Sequence, residues 1–190
     1  MKCDIVLAGV GGQGVLSLAA AIASGAMEEK LHVKQAEVHG MAQRGGAVMA
    51  TLRMSDREIA SDLIPHGTAS IILSMEPMES LRYLPYLSPE GTLITSANPV
   101  RNVPDYPDLD DLIARIRSLP RAVVVDAEKL ARQAGSARAT NMVMVGAAIP
   151  LLPVKAETIE RAVRTIFARK GDEVVNINLR ALQAGRDAAR

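Results

Sequence analysis

The sequence has 190 residues, 48% of them hydrophobic, enough for one folded domain with a sizeable core. Its 22 Lys and Arg nearly balance its 21 Asp and Glu, and a net charge of +1 argues against nucleic acid or an anionic membrane as a partner. The single cysteine excludes an intrachain disulfide and a cysteine-based zinc or iron–sulfur site within this chain. The three histidines show no metal-ligand spacing. We find no signal-peptide core and no apolar run long enough for a membrane span, and we expect a cytoplasmic protein.

Strands and helices alternate through the first two thirds of the sequence. Short apolar runs predict strands, and apolar residues at helical spacing predict helices. The predicted strands are 3–9, 32–38, 47–54, 69–75, 91–96 and 121–127, and the predicted helices are 15–30, 77–87, 110–119 and 127–135. A proline-rich loop is predicted at 97–110, and the remainder of the chain is predicted to be helical.

This order predicts an α/β fold: a three-layer αβα, Rossmann-like domain with C-terminal helices. We expect a single domain, with an α/β core at 1–135 and helices packed on it at 136–190. The linker at 39–46 is too short for the crossover of about a dozen residues that a parallel pair needs. Strands two and three are therefore expected to be antiparallel, within a mostly parallel but mixed sheet.

A glycine loop follows the first strand. Gly9, Gly11 and Gly14 satisfy G-x-G-x-x-G between a strand and a helix, a pattern that lets backbone N–H groups bind a phosphate. The same glycines could form a tight turn without a ligand, or a surface for a partner. Glu37 could bind the ribose of a nicotinamide cofactor. Two features argue against such a cofactor: Gln13 is polar, and no helix precedes the third strand. No Walker lysine and no self-sufficient catalytic centre is present.

Four segments carry a family resemblance: GVGGQG (9–14), EVHGMAQRGG (37–46), SMEPMESLRYLPYL (74–87) and TNMVMVGAAIP (140–150). In order and register, over essentially the whole chain, they resemble the gamma-type domain of 2-oxoacid:ferredoxin oxidoreductases, also called the pyruvate/ketoisovalerate oxidoreductase gamma-type domain. The H-G-M-x-Q-R-G-G form most resembles the small (beta) subunit of indolepyruvate ferredoxin oxidoreductase.

The resemblance implies an accessory subunit of a two-subunit enzyme, without catalytic activity alone. A large partner subunit would hold thiamine diphosphate and iron–sulfur clusters, decarboxylate an aryl-pyruvate, and pass electrons to ferredoxin. The acyl group would go to coenzyme A. The single cysteine agrees with this division, and we expect this chain to hold no cofactor alone and to share the coenzyme A site.

The resemblance also implies which residues bind. Gly11, Gly12, Gln13 and Gly14 would take phosphate or pantetheine groups of coenzyme A, and Arg44, whose guanidinium is a planar fork, would take an anionic group. The predicted binding site is completed by Gly9, His39, Gln43, Gly45 and Asn141. No residue is assigned a catalytic or metal-binding role.

Simpler roles for several of these residues remain open. His39 could cap a turn, Arg44 could be solvated, and Glu76 could cap the helix that follows it. Thr140 or Asn141 could be the N-cap of the helix at that position.

Two other functions also remain open. One is a stand-alone nicotinamide or flavin enzyme resting on the glycine loop and Glu37. The other is a non-catalytic binding or assembly protein on the same scaffold.

Overall fold

The computed structural model describes residues 1–39 and 45–189, with the side chain of His39 also outside the description. These residues form one six-stranded sheet with the strand order β2-β3-β1-β4-β5-β6. The strands are β1 Lys2–Val10, β2 His32–His39, β3 Ala47–Ser55, β4 Ala69–Ser74, β5 Leu87–Ser96 and β6 Ala122–Val125.

The sheet is mixed, as expected from the short linker after β2. Strand β3 lies between β2 and β1 and is antiparallel to both, whereas β1, β4, β5 and β6 are mutually parallel. Because Val10 is paired with Ala47, the end of β1 and the start of β3 meet at one edge of the sheet. This edge, here called the carboxyl edge, also carries the ends of β2, β4, β5 and β6.

Helices cover both faces of the sheet, which confirms the three-layer αβα prediction. The helices are α1 Val15–Glu28, α2 Pro77–Arg82, α3 Leu109–Arg117, α4 Ala127–Ala134, α5 Thr140–Ala148, α6 Ala156–Phe167 and α7 Asp172–Ala188. One face packs against α1 and α4–α7 in a large aliphatic core. The other face packs against α2 and α3 in a smaller core that includes Val6, Ile72 and Leu93. Within the described ranges, none of the helices combines the length and apolarity of a membrane span.

The helix predicted at 77–87 is shorter than expected. Helix α2 ends at Arg82, a 3-10 turn follows at Leu84–Tyr86, and Leu87 already begins β5. Pro85 accounts for the break, because a proline lacks the N–H of the α-helical ladder and its ring clashes with the preceding turn.

Helices α5 and α7 cross in close contact at two glycines. A Cβ on Gly146 would lie 1.9 Å from the Leu182 carbonyl oxygen, and a Cβ on Gly185 would lie 1.8 Å from the Val143 carbonyl oxygen. Neither site has room for a methyl group, so the two backbones are in direct contact. The position of α5 against the sheet is therefore fixed by α7.

Candidate functional site

The glycine loop between β1 and α1 is held from within by Gln13. Its Oε1 atom accepts a hydrogen bond from the backbone N–H of Val10 at 2.7 Å, and its Nε2 atom donates to the Met75 carbonyl oxygen at 3.1 Å. Gly12 and Gly14 have φ angles of 103° and 80°, which L side chains rarely adopt. Gln13 thus joins the end of β1 to the end of β4 across this turn.

Gly45 and Gly46, directly before β3, are hydrogen-bonded to this glycine loop. The N–H of Gly11 donates to the Gly46 carbonyl oxygen at 2.8 Å, and the N–H of Gly45 donates to the Gly11 carbonyl oxygen at 3.3 Å. Asn102, from the proline-rich loop, donates through Nδ2 to the Gly45 carbonyl oxygen at 2.6 Å. Three segments far apart in sequence therefore meet at the carboxyl edge.

The start of α5 lies beside the glycine loop. A Cβ on Gly14 would be 3.2 Å from Nδ2 of Asn141, whose Oδ1 accepts from the N–H of Met142 at 3.0 Å. The prediction that Thr140 or Asn141 is the N-cap was wrong, since Ala139 holds that position without a side-chain cap. A 3-10 turn, Ala137–Ala139, runs directly into α5 and moves the cap position back along the chain.

A cavity of about 360 Å³ opens between these segments at the carboxyl edge. It is lined by the glycine loop, the end of β4, the proline-rich loop, the start of α4 and the turn before α5. The lining residues are Gly12, Gln13, Gly14, Met75, Val100, Glu128, Ala137, Arg138, Thr140 and Asn141.

Four of the predicted site residues line this cavity: Gly12, Gln13, Gly14 and Asn141. Three other predicted site residues do not line the cavity but stabilise the loops around it. Gly9 is required by packing, because a Cβ there would lie 2.9 Å from Cγ2 of Val15 and 3.1 Å from Cβ of Met75. Gly11 and Gly45 hold the two loops together. Gln43, Arg44 and the side chain of His39 lie outside the described residues.

Glu76, directly after Met75, fastens the proline-rich loop beside the cavity. Its buried carboxylate accepts from the N–H of Glu79 at 2.8 Å, which confirms the predicted helix cap, and from the N–H of Val100 at 3.3 Å. The hydroxyl of Tyr106 also donates to it. Burial, and then this hydrogen bond, raise the pKa of Tyr106 well above its ordinary value, so the hydroxyl stays protonated and keeps donating.

The cavity lies where the winding of the sheet reverses. The chain leaves β1 into α1 on one face, and it leaves the neighbouring parallel strand β4 into α2 on the other face. In open α/β sheets, ligands bind in the crevice outside the carboxyl ends of strands at such a switch point. Sequence analysis missed three lining residues, Met75, Val100 and Arg138. Met75 is brought to the loop by the pairing of β4 with β1, which the sequence does not show, and the other two lie in connecting turns and loops.

The geometry disfavours a dinucleotide cofactor held by Glu37. Since β3 separates β2 from β1, Glu37 lies two strand spacings from the glycine loop, or about 10 Å across the sheet. Within residues 1–39 and 45–189, no group of three or more His, Cys, Asp or Glu side chains converges on a metal position. The fold and site thus define a Rossmann-like domain whose candidate ligand site lies at the switch point.

Comparison with known proteins narrows this class to one family. The chain belongs to the pyruvate ferredoxin/flavodoxin oxidoreductase family, whose model matches residues 4–188. It is 38% identical over 198 residues to the indolepyruvate oxidoreductase subunit IorB of Archaeoglobus fulgidus, covering 100% of this chain and 96% of that protein. It is 36% identical to the subunit of the same name from Pyrococcus horikoshii, and the alignment covers 98% of this chain and 96% of that protein.

Solved structures share the fold. The pyruvate oxidoreductase subunit PORC from Thermotoga maritima superposes with a TM-score of 0.76 at 24% identity, covering 98% of this chain and 96% of that one. The 2-oxoglutarate:ferredoxin oxidoreductase from Magnetococcus marinus, with 2-oxoglutarate, coenzyme A and succinyl-CoA bound, superposes with a TM-score of 0.77 at 22% identity, covering 99% and 31%. The predicted fold and family are confirmed, and the chain is a subunit of a 2-oxoacid oxidoreductase.

Proposed function

We propose that this chain is the accessory subunit of an indolepyruvate:ferredoxin oxidoreductase and that it helps bind coenzyme A at its carboxyl edge. The observation that carries the coenzyme A role is the cavity of about 360 Å³ at the switch point, built from the glycine loop and the start of α5. The choice of 2-oxoacid rests on identity. Four IorB subunits are 34–38% identical to this chain, whereas relatives for ketoisovalerate and 2-oxoglutarate are 27–29% identical.

In this proposal the chain supplies binding groups. The N–H groups of Gly12 and Gly14 lie at the cavity, and no described residue accepts a hydrogen bond from either. Backbone N–H groups of a glycine turn that opens a helix bind phosphate oxygens, because they add to the positive end of the helix dipole. Gln13 then acts as a brace that fixes the turn, rather than as a ligand contact.

Iron–sulfur clusters do not fit this chain, and we place them, with thiamine diphosphate, in a larger partner subunit. The only cysteine, Cys3, is buried in β1, and burial together with the neighbouring Asp4 raises its pKa to about 12. A thiol held neutral in an apolar core is a poor cluster ligand, because ligation requires the thiolate. Electron transfer to ferredoxin would therefore pass through the partner.

The test is a reconstitution with the candidate large subunit. We expect reduction of a viologen dye by indolepyruvate only when both chains are present and only with coenzyme A. Ketoisovalerate and 2-oxoglutarate serve as control substrates and should turn over slowly. Full activity of the large subunit alone would contradict an accessory role. A complex that forms but stays inactive would favour the non-catalytic binding protein, and flavin absorbance of the isolated chain would favour the stand-alone enzyme.

A further inference from the structure

Most polar side chains that line the cavity are already bonded within the protein. Both ends of the Gln13 amide are bonded to backbone. The hydroxyl of Thr140 donates to the Ala137 carbonyl oxygen at 2.7 Å. The carboxylate of Glu128 accepts from Arg132 at 3.1 Å. Of these three side chains, Glu128 alone keeps an unbonded oxygen, Oε1, within the described residues.

Two hydrogen-bond donors are left over. No residue in the ranges 1–39 and 45–189 accepts from the Arg138 guanidinium or from the Nδ2 group of Asn141. Both residues line the cavity, Arg138 exposed and Asn141 half-buried, three positions apart across the junction of the 3-10 turn and α5. The backbone of Arg138 is held in place, since its N–H donates to Oγ of Ser136 at 3.2 Å.

The charges near Arg138 leave its own positive charge unneutralised. Glu128 is paired with Arg132, and Oδ1 of Asp126 is shared between the Asn98 amide and the N–H of Lys129. The Arg138 guanidinium, without a partner among the described residues and at the border of a cavity, offers paired N–H groups to a phosphate, in a geometry that a lysine cannot reproduce. Arg138 and Nδ2 of Asn141 are thus unused donors at this cavity, beside one unused acceptor, Oε1 of Glu128. A ligand phosphate would satisfy the two donors.

We propose that Arg138 binds a phosphate group of coenzyme A and that Asn141 donates to a second acceptor of the same ligand. This inference rests on the proposed function of the site. It adds a binding residue from the 3-10 turn before α5. The ligand would then be bound by backbone N–H groups of residues 12 and 14 and by the Arg138 side chain.

The test is steady-state kinetics of the reconstituted complex with Arg138→Gln. We expect the KM for coenzyme A to rise about tenfold or more, since a hydrogen bond to a charged group is lost, while kcat at saturating coenzyme A stays within about twofold. Arg138→Lys should recover part of the loss, because it restores charge without the planar fork. The matched control is Arg117→Gln, an equal loss of charge at an exposed position of α3 on the other face of the sheet, which should leave the KM unchanged.

The outcomes separate the inference from the proposed function. A wild-type KM in the Arg138→Gln complex would overturn the phosphate contact, while coenzyme A-dependent turnover by the wild type would still stand. Failure of the variant to assemble with the large subunit would also overturn it, by showing a partner contact. Absence of coenzyme A-dependent turnover in the wild type would remove both proposals. The same comparison with dephospho-coenzyme A identifies the phosphate. If Arg138→Gln no longer raises the KM, the contact is to the 3′-phosphate; if the KM still rises, the contact is to the diphosphate.

Discussion

Gln13 shows how a polar residue in a glycine loop can serve the fold. Its position in GVGGQG gave it a predicted ligand role, yet its amide bonds the N–H of Val10 and the carbonyl of Met75. The bond to Met75 could not be inferred from the sequence, because Met75 is brought to the loop only by the pairing of β4 with β1. The glycine motif predicted the loop, and strand pairing determined what the Gln13 side chain bonds to.

A single substitution tests this role of Gln13. Gln13→Ala should lower the free energy of unfolding by about 2 kcal/mol, because it leaves a backbone donor and a backbone acceptor without partners. Urea unfolding followed by circular dichroism measures the change. The control is Gln133→Ala, at an exposed position of α4, which should have little effect. Unchanged stability of Gln13→Ala together with a raised KM for coenzyme A would restore the ligand role.

The predicted binding residues stay a prediction, although several of them line the cavity. Gly12, Gly14 and Asn141 were identified from motif position, and all three line the cavity. Arg138 was missed because nothing local distinguishes one arginine of a polar turn from another. Its significance depends on which neighbours are already paired, and only the folded structure shows this.

Among the elements, the α5–α7 crossing is the most sensitive to a small change. Gly185→Ala should destabilise the protein by about 3 kcal/mol or more, since the added methyl would meet the Val143 carbonyl at 1.8 Å and force two backbones apart. Thermal unfolding measures the effect. The comparison variant is Gly25→Ala in α1, where the methyl would meet side-chain atoms, Cδ1 of Ile159 at 2.5 Å and Cγ1 of Val154 at 3.4 Å. A side-chain end can shift more easily than a backbone carbonyl, and alanine gains helix propensity, so the loss of stability should be smaller. Equal stability of the two variants would contradict the close crossing.

The order and type of the elements were predictable because each has a clear periodicity or length. The short linker at 39–46 was enough to predict the antiparallel β2–β3 pair. Boundaries were less accurate near prolines and turns, as at Pro85 and at the start of α5. There the chain continues in a 3-10 turn, which has no distinct pattern of apolar residues.

At the scale of the whole molecule, the two faces of the sheet carry different natural probes. All three tyrosines pack with the α2/α3 face: Tyr83, Tyr86 and Tyr106. Cys3 belongs to the opposite core, which extends to Leu182 near the end of the chain. Because that core joins residues before and after position 135, it favours one folding unit, and the division at 135 stays a prediction.

These probes test whether the chain unfolds as one unit. We expect tyrosine fluorescence and the labelling of Cys3 by a thiol reagent to report the same urea midpoint. In the native protein Cys3 should be almost inert, because a pKa of about 12 in place of 9.0 lowers the thiolate fraction about a thousandfold and burial blocks access. A tyrosine transition at lower urea than the cysteine transition would show that the α2/α3 face opens separately.

The glycine crossing has a consequence beyond stability. Asn141 sits on α5, and α5 rests on α7 with no slack between them, although α7 lines no part of the cavity. Helix α7 therefore helps to position Asn141 at the cavity, although α7 itself does not line it. We therefore expect substitutions at the α7 side of the crossing to change the shape of the cavity by shifting α5.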